Sequence, residues 1–119
     1  ETLKREERYE YKFHTRVMRP WGSATTILEN TSYRIRMLEI QLGKCLSLQS
    51  HQQRSEHWVV LEGTADVQRG DEKVMLQKNE STYIPKGMLH RLGNSGNTTL
   101  QIIEVQQGEY LGDDDIERY

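Results

Sequence analysis

The chain has 119 residues, enough for one domain, with 16 basic side chains nearly balanced by 18 acidic ones. That balance excludes the basic excess of a nucleic-acid-binding surface, and no apolar run approaches the ~20 residues that span a bilayer. A lone cysteine, Cys45, excludes a disulfide framework and a thiolate zinc site, and no signal-peptide pattern is present. The expectation is a soluble cytoplasmic domain without a nucleic-acid or membrane partner.

Taken in chain order, residues 1–16 read as an extension. Lys4, Arg5, Glu6, Glu7 and Arg8 form a charged run, after which Tyr9, Tyr11 and Phe13 alternate with polar residues as in an edge strand. Such a strand pairs with a sheet edge of its own chain or of a partner, and a homodimer held partly by this segment is expected. Residues 17–119 read as one domain. Strands are expected over 23–28, 33–42, 46–51, 56–68, 73–77, 81–84, 90–92 and 100–106. Turn chemistry separates them at Asn30, Gly43-Lys44, Gly70-Asp71, Pro85-Lys86-Gly87 and from Gly93 to Asn97. No helical apolar period persists, although the acidic stretch within 112–119 suits the opening of a short terminal helix. An all-β sandwich, jelly roll or small barrel follows.

Gln49, His51, Glu56 and His90 form the candidate metal set. Gln49 and His51 stand two apart in a strand and so leave the same face. Glu56 shares a face with Trp58 and Val60, a costly place for a carboxylate unless a positive partner compensates it. His90 follows the Pro85-Lys86-Gly87 turn, which returns a distant strand to the same pocket. Two imidazoles, a carboxylate and an amide oxygen make a mixed nitrogen/oxygen site for a divalent ion.

With these residues in place, the sequence resembles the cupin superfamily. Gly43 is followed by five residues, Gln49, Ser50, His51, four residues, Glu56, six residues and Gly63. Pro85 to His90 and Asn94 match the second cupin motif. Gln49 stands where most cupins have a first His, and a Gln-x-His pair resembles the zinc site of phosphomannose isomerases. Arg19-Pro20-Trp21-Gly22-Ser23, Arg54-Ser55-Glu56-His57-Trp58-Val59-Val60, Glu80-Ser81-Thr82-Tyr83-Ile84-Pro85 and Tyr110-Leu111-Gly112-Asp113-Asp114-Asp115-Ile116 narrow the resemblance to the type II mannose-6-phosphate isomerase domain.

The resemblance covers residues 17–118. It implies a double-stranded β-helix (a cupin jelly-roll barrel), a divalent metal with zinc first and iron, manganese, nickel or cobalt next, and interconversion of mannose 6-phosphate and fructose 6-phosphate. This domain type commonly ends a bifunctional mannose-1-phosphate guanylyltransferase. The glycine-rich nucleotidyltransferase segment is absent here, so the chain is not expected to make GDP-mannose by itself. One departure bears on catalysis: His51-Gln52-Gln53 replaces a run of three His.

Aldose–ketose isomerisation moves a proton between adjacent carbons, for which His57 and Glu104 are candidate bases and Tyr83 a weaker acid partner. His57 opposes Glu56 in strand parity, which leaves an outer-face position equally open. Arg54, Arg91 and Lys86 are candidates for holding a sugar phosphate. A non-catalytic cupin that binds metal and a sugar phosphate or nucleotide sugar is the alternative, followed by a structural dimerisation domain.

Overall fold

Strict alternation of inward and outward side chains builds the long strands, and a computed structural model describes residues 15–112 and 114–119. The strands are β1 (Thr15–Arg19), β2 (Gly22–Glu29), β3 (Tyr33–Ile40), β4 (Gln49–Ser50), β5 (Arg54–Glu62), β6 (Ala65–Arg69), β7 (Glu72–Leu76), β8 (Ser81–Ile84), β9 (His90–Gly93), β10 (Leu100–Gly108) and β11 (Glu117–Arg118). They form a six-stranded sheet in the order β1-β2-β3-β10-β5-β8 and a five-stranded sheet in the order β11-β4-β9-β6-β7. Every pairing is antiparallel. The expected all-β double-stranded β-helix is the fold. No helix among the described residues is long and apolar enough to cross a membrane.

The core lies between the sheets. Leu38 and Ile40 of β3, Trp58 and Val60 of β5, and Leu100 and Ile102 of β10 meet Ala65, Val67, Leu76 and Leu92 of the smaller sheet. These residues occupy one half of the interior. Along the same inward faces of β3, β5 and β10 the other half is polar, with Arg34, Arg54, Glu56, Glu104 and Gln106 all buried. The register sets them side by side: Glu104 lies opposite Arg36 on one neighbour and Trp58 on the other, and Gln106 opposite Arg34 and Glu56.

Three expected elements are corrected. The span 56–68 is two strands, because Gly63 turns the chain at φ +91°, where a Cβ would press on the Leu100 backbone at 3.1 Å. The strand expected over 46–51 shrinks to β4. Four steps from Cys45 to Gln49 are matched by only three from Gly93 to His90, so one extra residue breaks the ladder beside the candidate site. No helix forms in the described part of 112–119; β11 instead pairs with β4. The sequence reading also missed β1, which pairs with β2 along its whole length and crosses the boundary drawn at residue 16. Tyr9, Tyr11 and Phe13, and the dimer contact expected of them, lie outside the described residues.

Leu38 is wholly buried between the sheets, so Leu38→Ala leaves a cavity that the paired strands cannot close. Urea unfolding should show a loss of about 2–5 kcal/mol. Met75→Ala, on a side chain 51% exposed, should stay within ~0.5 kcal/mol.

Candidate metal centre

Three elements bring the donor atoms together. Glu56 points inward from β5, His51 follows the end of β4, and His90 opens β9, where its backbone is registered with Gln49. The turn before His90 is a one-glycine device. Met88 N–H bonds to the Pro85 carbonyl at 3.2 Å, and Gly87 takes φ +79° at the third turn position. Gly87 N–H then donates to the His51 carbonyl at 2.7 Å, which ties the turn to the end of β4.

One ligand atom each from His51, Glu56 and His90 lie within 4.8 Å of one another, and all three residues are buried. His51 Nε2 is 3.4 Å from Glu56 Oε2, and His90 Nε2 is 3.9 Å from Glu56 Oε1. The opposite ring nitrogens fix the tautomers. His51 Nδ1 lies 2.6 Å from the Asp115 carbonyl and His90 Nδ1 lies 3.0 Å from the Met88 carbonyl. A carbonyl accepts only, so each Nδ1 carries the proton and each Nε2 presents its lone pair to the carboxylate. Outer hydrogen bonds of this kind orient metal-ligating imidazoles. The donor set therefore fits a divalent ion.

Gln49 borders the same cleft. Its amide nitrogen donates to the Ser47 carbonyl at 3.2 Å and to Ser47 Oγ at 3.3 Å, bonds that engage the nitrogen and not the amide oxygen. The Asp115 carboxylate accepts from the Gln52 and Gln53 backbone N–H groups at 3.1 and 2.9 Å, so the C-terminal segment clasps the His51 loop with both carbonyl and side chain.

Two buried carboxylates dominate the electrostatics. Burial and then the charge of Glu104 push Glu56 up to about 8, against the pull of Arg54. Burial also works to raise Glu104, but Arg36 and Arg54 outweigh it and hold Glu104 below the usual carboxylate range. Arg36 Nε and Nη2 both reach Glu104 Oε1 at 2.8 Å, and Gln106 donates to the same oxygen at 2.8 Å. Trp58 Nε1 is shared between Glu56 Oε1 at 3.1 Å and Glu104 Oε2 at 3.3 Å. Burial, then the charge of Arg54, lowers His51 to about 4 despite its bond to Asp115, and burial likewise lowers His90. Both rings are neutral at pH 7, the form that ligates.

Of the groups named for catalysis, Glu104 borders the cleft; His57 and Tyr83 do not. Both lie exposed on the outer face of the larger sheet, their rings edge-on at 6.1 Å, because odd positions of β5 point away from Glu56. Arg54 is buried, with Nε 3.0 Å from Glu56 Oε2. Arg91 borders the cleft, but its guanidinium donates to Gln68 Oε1 at 3.3 Å on the outer side, and Lys86 is exposed on the turn. Sequence reasoning missed Arg36, Gln106 and Asp115. Parity along β10 signals Gln106, which shares its face with Leu100 and Ile102; nothing local signals Asp115, which acts across 64 positions. A larger hollow of about 510 Å³ on the outer face of the smaller sheet shares only Arg91 with the cleft and holds none of the cluster.

His51→Ala and His90→Ala should each abolish stoichiometric zinc uptake, since water substitutes poorly for imidazole, while Gln53→Ala should leave it nearly intact. Elemental analysis after dialysis reads this, and equal metal in all three variants contradicts the donor set.

The titrations also set the pH profile of metal-free protein. His51 and His90 bind fewer protons folded than unfolded, so their contribution is complete above pH ~6.5 and is lost as pH falls, for His51 toward about 4. Glu56 binds more protons folded than unfolded between its ordinary 4.5 and about 8, so its contribution is lost as pH rises through that window. Two histidines outweigh one carboxyl below 6.5, and Glu56 acts alone above it. Denaturant unfolding in chelator should therefore show maximal stability near pH 6.5, with slopes approaching ~1.4 kcal/mol per pH unit on either side. A profile rising steadily to pH 8 counts against this assignment.

The chain is similar to several known proteins. The sequence model of one family, described as mannose-6-phosphate isomerase C-terminal, matches residues 6–119. The xanthan biosynthesis protein XanB of Xanthomonas campestris pv. campestris (strain B100) is 47% identical over 117 residues, 98% of this chain and 25% of that protein. The mannose-1-phosphate guanylyltransferase RfbM of Salmonella typhimurium is 47% identical over 116 residues, 98% of this chain and 24% of that protein. The alginate biosynthesis protein AlgA of Pseudomonas aeruginosa is 47% identical over 111 residues, 93% of this chain and 23% of that protein. The chain thus spans about a quarter of the length of these relatives. Among solved structures, a double-stranded β-helix protein of Klebsiella pneumoniae has a TM-score of 0.75 at 17% identity, covering 88% of this chain and 84% of that one. KdgF from Halomonas has a TM-score of 0.74 at 14% identity, covering 82% and 86%. At such identities these two speak for the fold alone. The family match spans nearly the whole chain, and on that ground the chain belongs to the mannose-6-phosphate isomerase C-terminal family.

Proposed function

We propose that the domain is a metal-dependent isomerase that interconverts mannose 6-phosphate and fructose 6-phosphate, with zinc the first choice of ion. The observation that carries this reading is the convergence of two imidazole Nε2 lone pairs on the Glu56 carboxylate within 4.8 Å, in a chain of this family. The names of relatives in xanthan and alginate biosynthesis support a place in supplying mannose for polysaccharide precursors.

Gln49, His51, Glu56 and His90 would hold the ion, which supplies Lewis-acid polarisation of the sugar oxygens flanking the reacting carbons. Iron, manganese, nickel and cobalt suit the same donors. Glu104 is the carboxylate left to carry the proton between those carbons, through Oε2, the oxygen beside Trp58 Nε1. Arg36 keeps it anionic and so ready to accept a proton, while lowering its strength as a base.

A second reading has its own support. Glu104 Oε1 already receives Arg36 and Gln106, and Gln52 and Gln53 stand where the family resemblance has imidazoles. A domain that binds metal and a sugar phosphate without turning it over is consistent with both.

A coupled assay for fructose 6-phosphate formed from mannose 6-phosphate separates the two. Activity should vanish in chelator and return with zinc. Glu104→Gln should lower turnover by ~10²-fold or more while keeping one equivalent of metal. Zinc-loaded protein that binds the sugar phosphate but leaves it unconverted establishes the second reading.

A further inference from the structure

The position of Arg54 conflicts with simple metal loading. Its Nη2 lies 3.2 Å from His51 Nε2 and 3.0 Å from Glu56 Oε2, and its Nε is 3.0 Å from the same carboxylate oxygen. His51 Nδ1 is committed to the Asp115 carbonyl, so Nε2 has one lone pair, which either accepts the Arg54 N–H or ligates an ion. Both cannot hold at once. The opposite end of the guanidinium is also unfinished: Nη1 is buried with no hydrogen-bond partner among the described residues. An orphaned charged donor is costly, and its relief lies outside the present contacts.

The cleft volume points the same way. Bordered by Gln49, Arg54, Glu56, His90 and Glu104, it holds about 20 Å³ of free space, room for one water and not for a sugar phosphate. Arg54, long and 5% exposed, is the bordering side chain whose withdrawal opens it.

We propose that Arg54 and the metal ion exchange places: the ion takes the His51 and Glu56 atoms that the guanidinium holds, and the freed guanidinium receives the phosphate of the incoming sugar. The exchange rests on the metal-centre reading above. It is neutral in sign at the carboxylate, since Glu56 trades one cationic partner for another. It also couples two ligands through one side chain. An anion that captures the released guanidinium makes withdrawal easier and so tightens metal binding, and by linkage the metal tightens anion binding equally.

The test uses the full chain with zinc alone, and sulfate as a tetrahedral dianion in place of the phosphate group. In ¹⁵N-arginine-labelled protein the Arg54 Nε–H signal, identified by its loss in Arg54→Lys, should be protected from solvent exchange without metal. It should shift and lose that protection at one equivalent of zinc. Zinc affinity should rise on the order of fivefold or more when sulfate replaces chloride at matched ionic strength, and Arg54→Met should bring that ratio to about one. The signal requires no variant to fold. If zinc binds at one equivalent, is lost in His51→Ala, and leaves the Arg54 signal unmoved, the exchange is wrong and the metal centre stands. A sulfate effect that persists in Arg54→Met overturns the phosphate role. If His51→Ala takes up zinc as the unaltered chain does, the metal centre itself falls and the exchange with it.

Discussion

Two carboxylates buried a few ångströms apart, Glu56 and Glu104, are the constraint to which the polar half of the barrel answers. Each would carry a large desolvation penalty alone, and together they repel. The indole N–H between them, Arg36 on one side and Arg54 on the other make the pair tolerable. Removing any of these leaves charge uncompensated in a site from which water is largely excluded, a far larger penalty than the loss of an exposed ion pair. Burial and the charge of Glu104 still raise Glu56 above the usual carboxylate range, so this is the less well compensated of the two.

The same arrangement explains why the barrel is asymmetric inside. Along one face, strands β3 and β5 run from charged to apolar and β10 runs from apolar to charged. Leu38 and Ile40 follow Arg34 and Arg36, Trp58 and Val60 follow Arg54 and Glu56, and Leu100 and Ile102 precede Glu104 and Gln106. Because β10 runs antiparallel to its neighbours, these opposite orders superimpose, so one end of the interior is a packed core and the other a site. The core end supplies rigidity, and the polar end uses it to hold ionisable groups at fixed separations. Short irregular segments then complete the centre: the Pro85 turn delivers His90, the extra residue before Gln49 alters the ladder, and the C-terminal clasp sets the tautomer of His51.

Membership of the isomerase family and possession of an isomerase reaction are separate matters in this chain. The relatives are about four times longer, and their names describe the biosynthesis of xanthan and alginate or guanylyl transfer. What this chain brings is a domain with a metal-competent donor set. His57 and Tyr83 lie on the outer face, and Glu104, the second buried carboxylate at the cleft, is already engaged by Arg36 and Gln106.

Alternation, glycine placement and residue chemistry are properties of local spacing, so the all-β architecture, the turns and the His51, Glu56 and His90 donors are legible in the chain alone. Strand parity alone put Glu56 beside Trp58 and set His57 against it. Tertiary structure decided what depends on which strands become neighbours. Arg36 and Gln106 meet Glu104 only through the β3–β10 register and the face they share, and Asp115 reaches His51 only because β11 pairs with β4. Arg54 reads from sequence as a candidate for holding a sugar phosphate, since a guanidinium next to a metal ligand suits that role. Burial makes it a partner of Glu56 as well, because within a closed barrel a buried carboxylate attracts the nearest cation strongly.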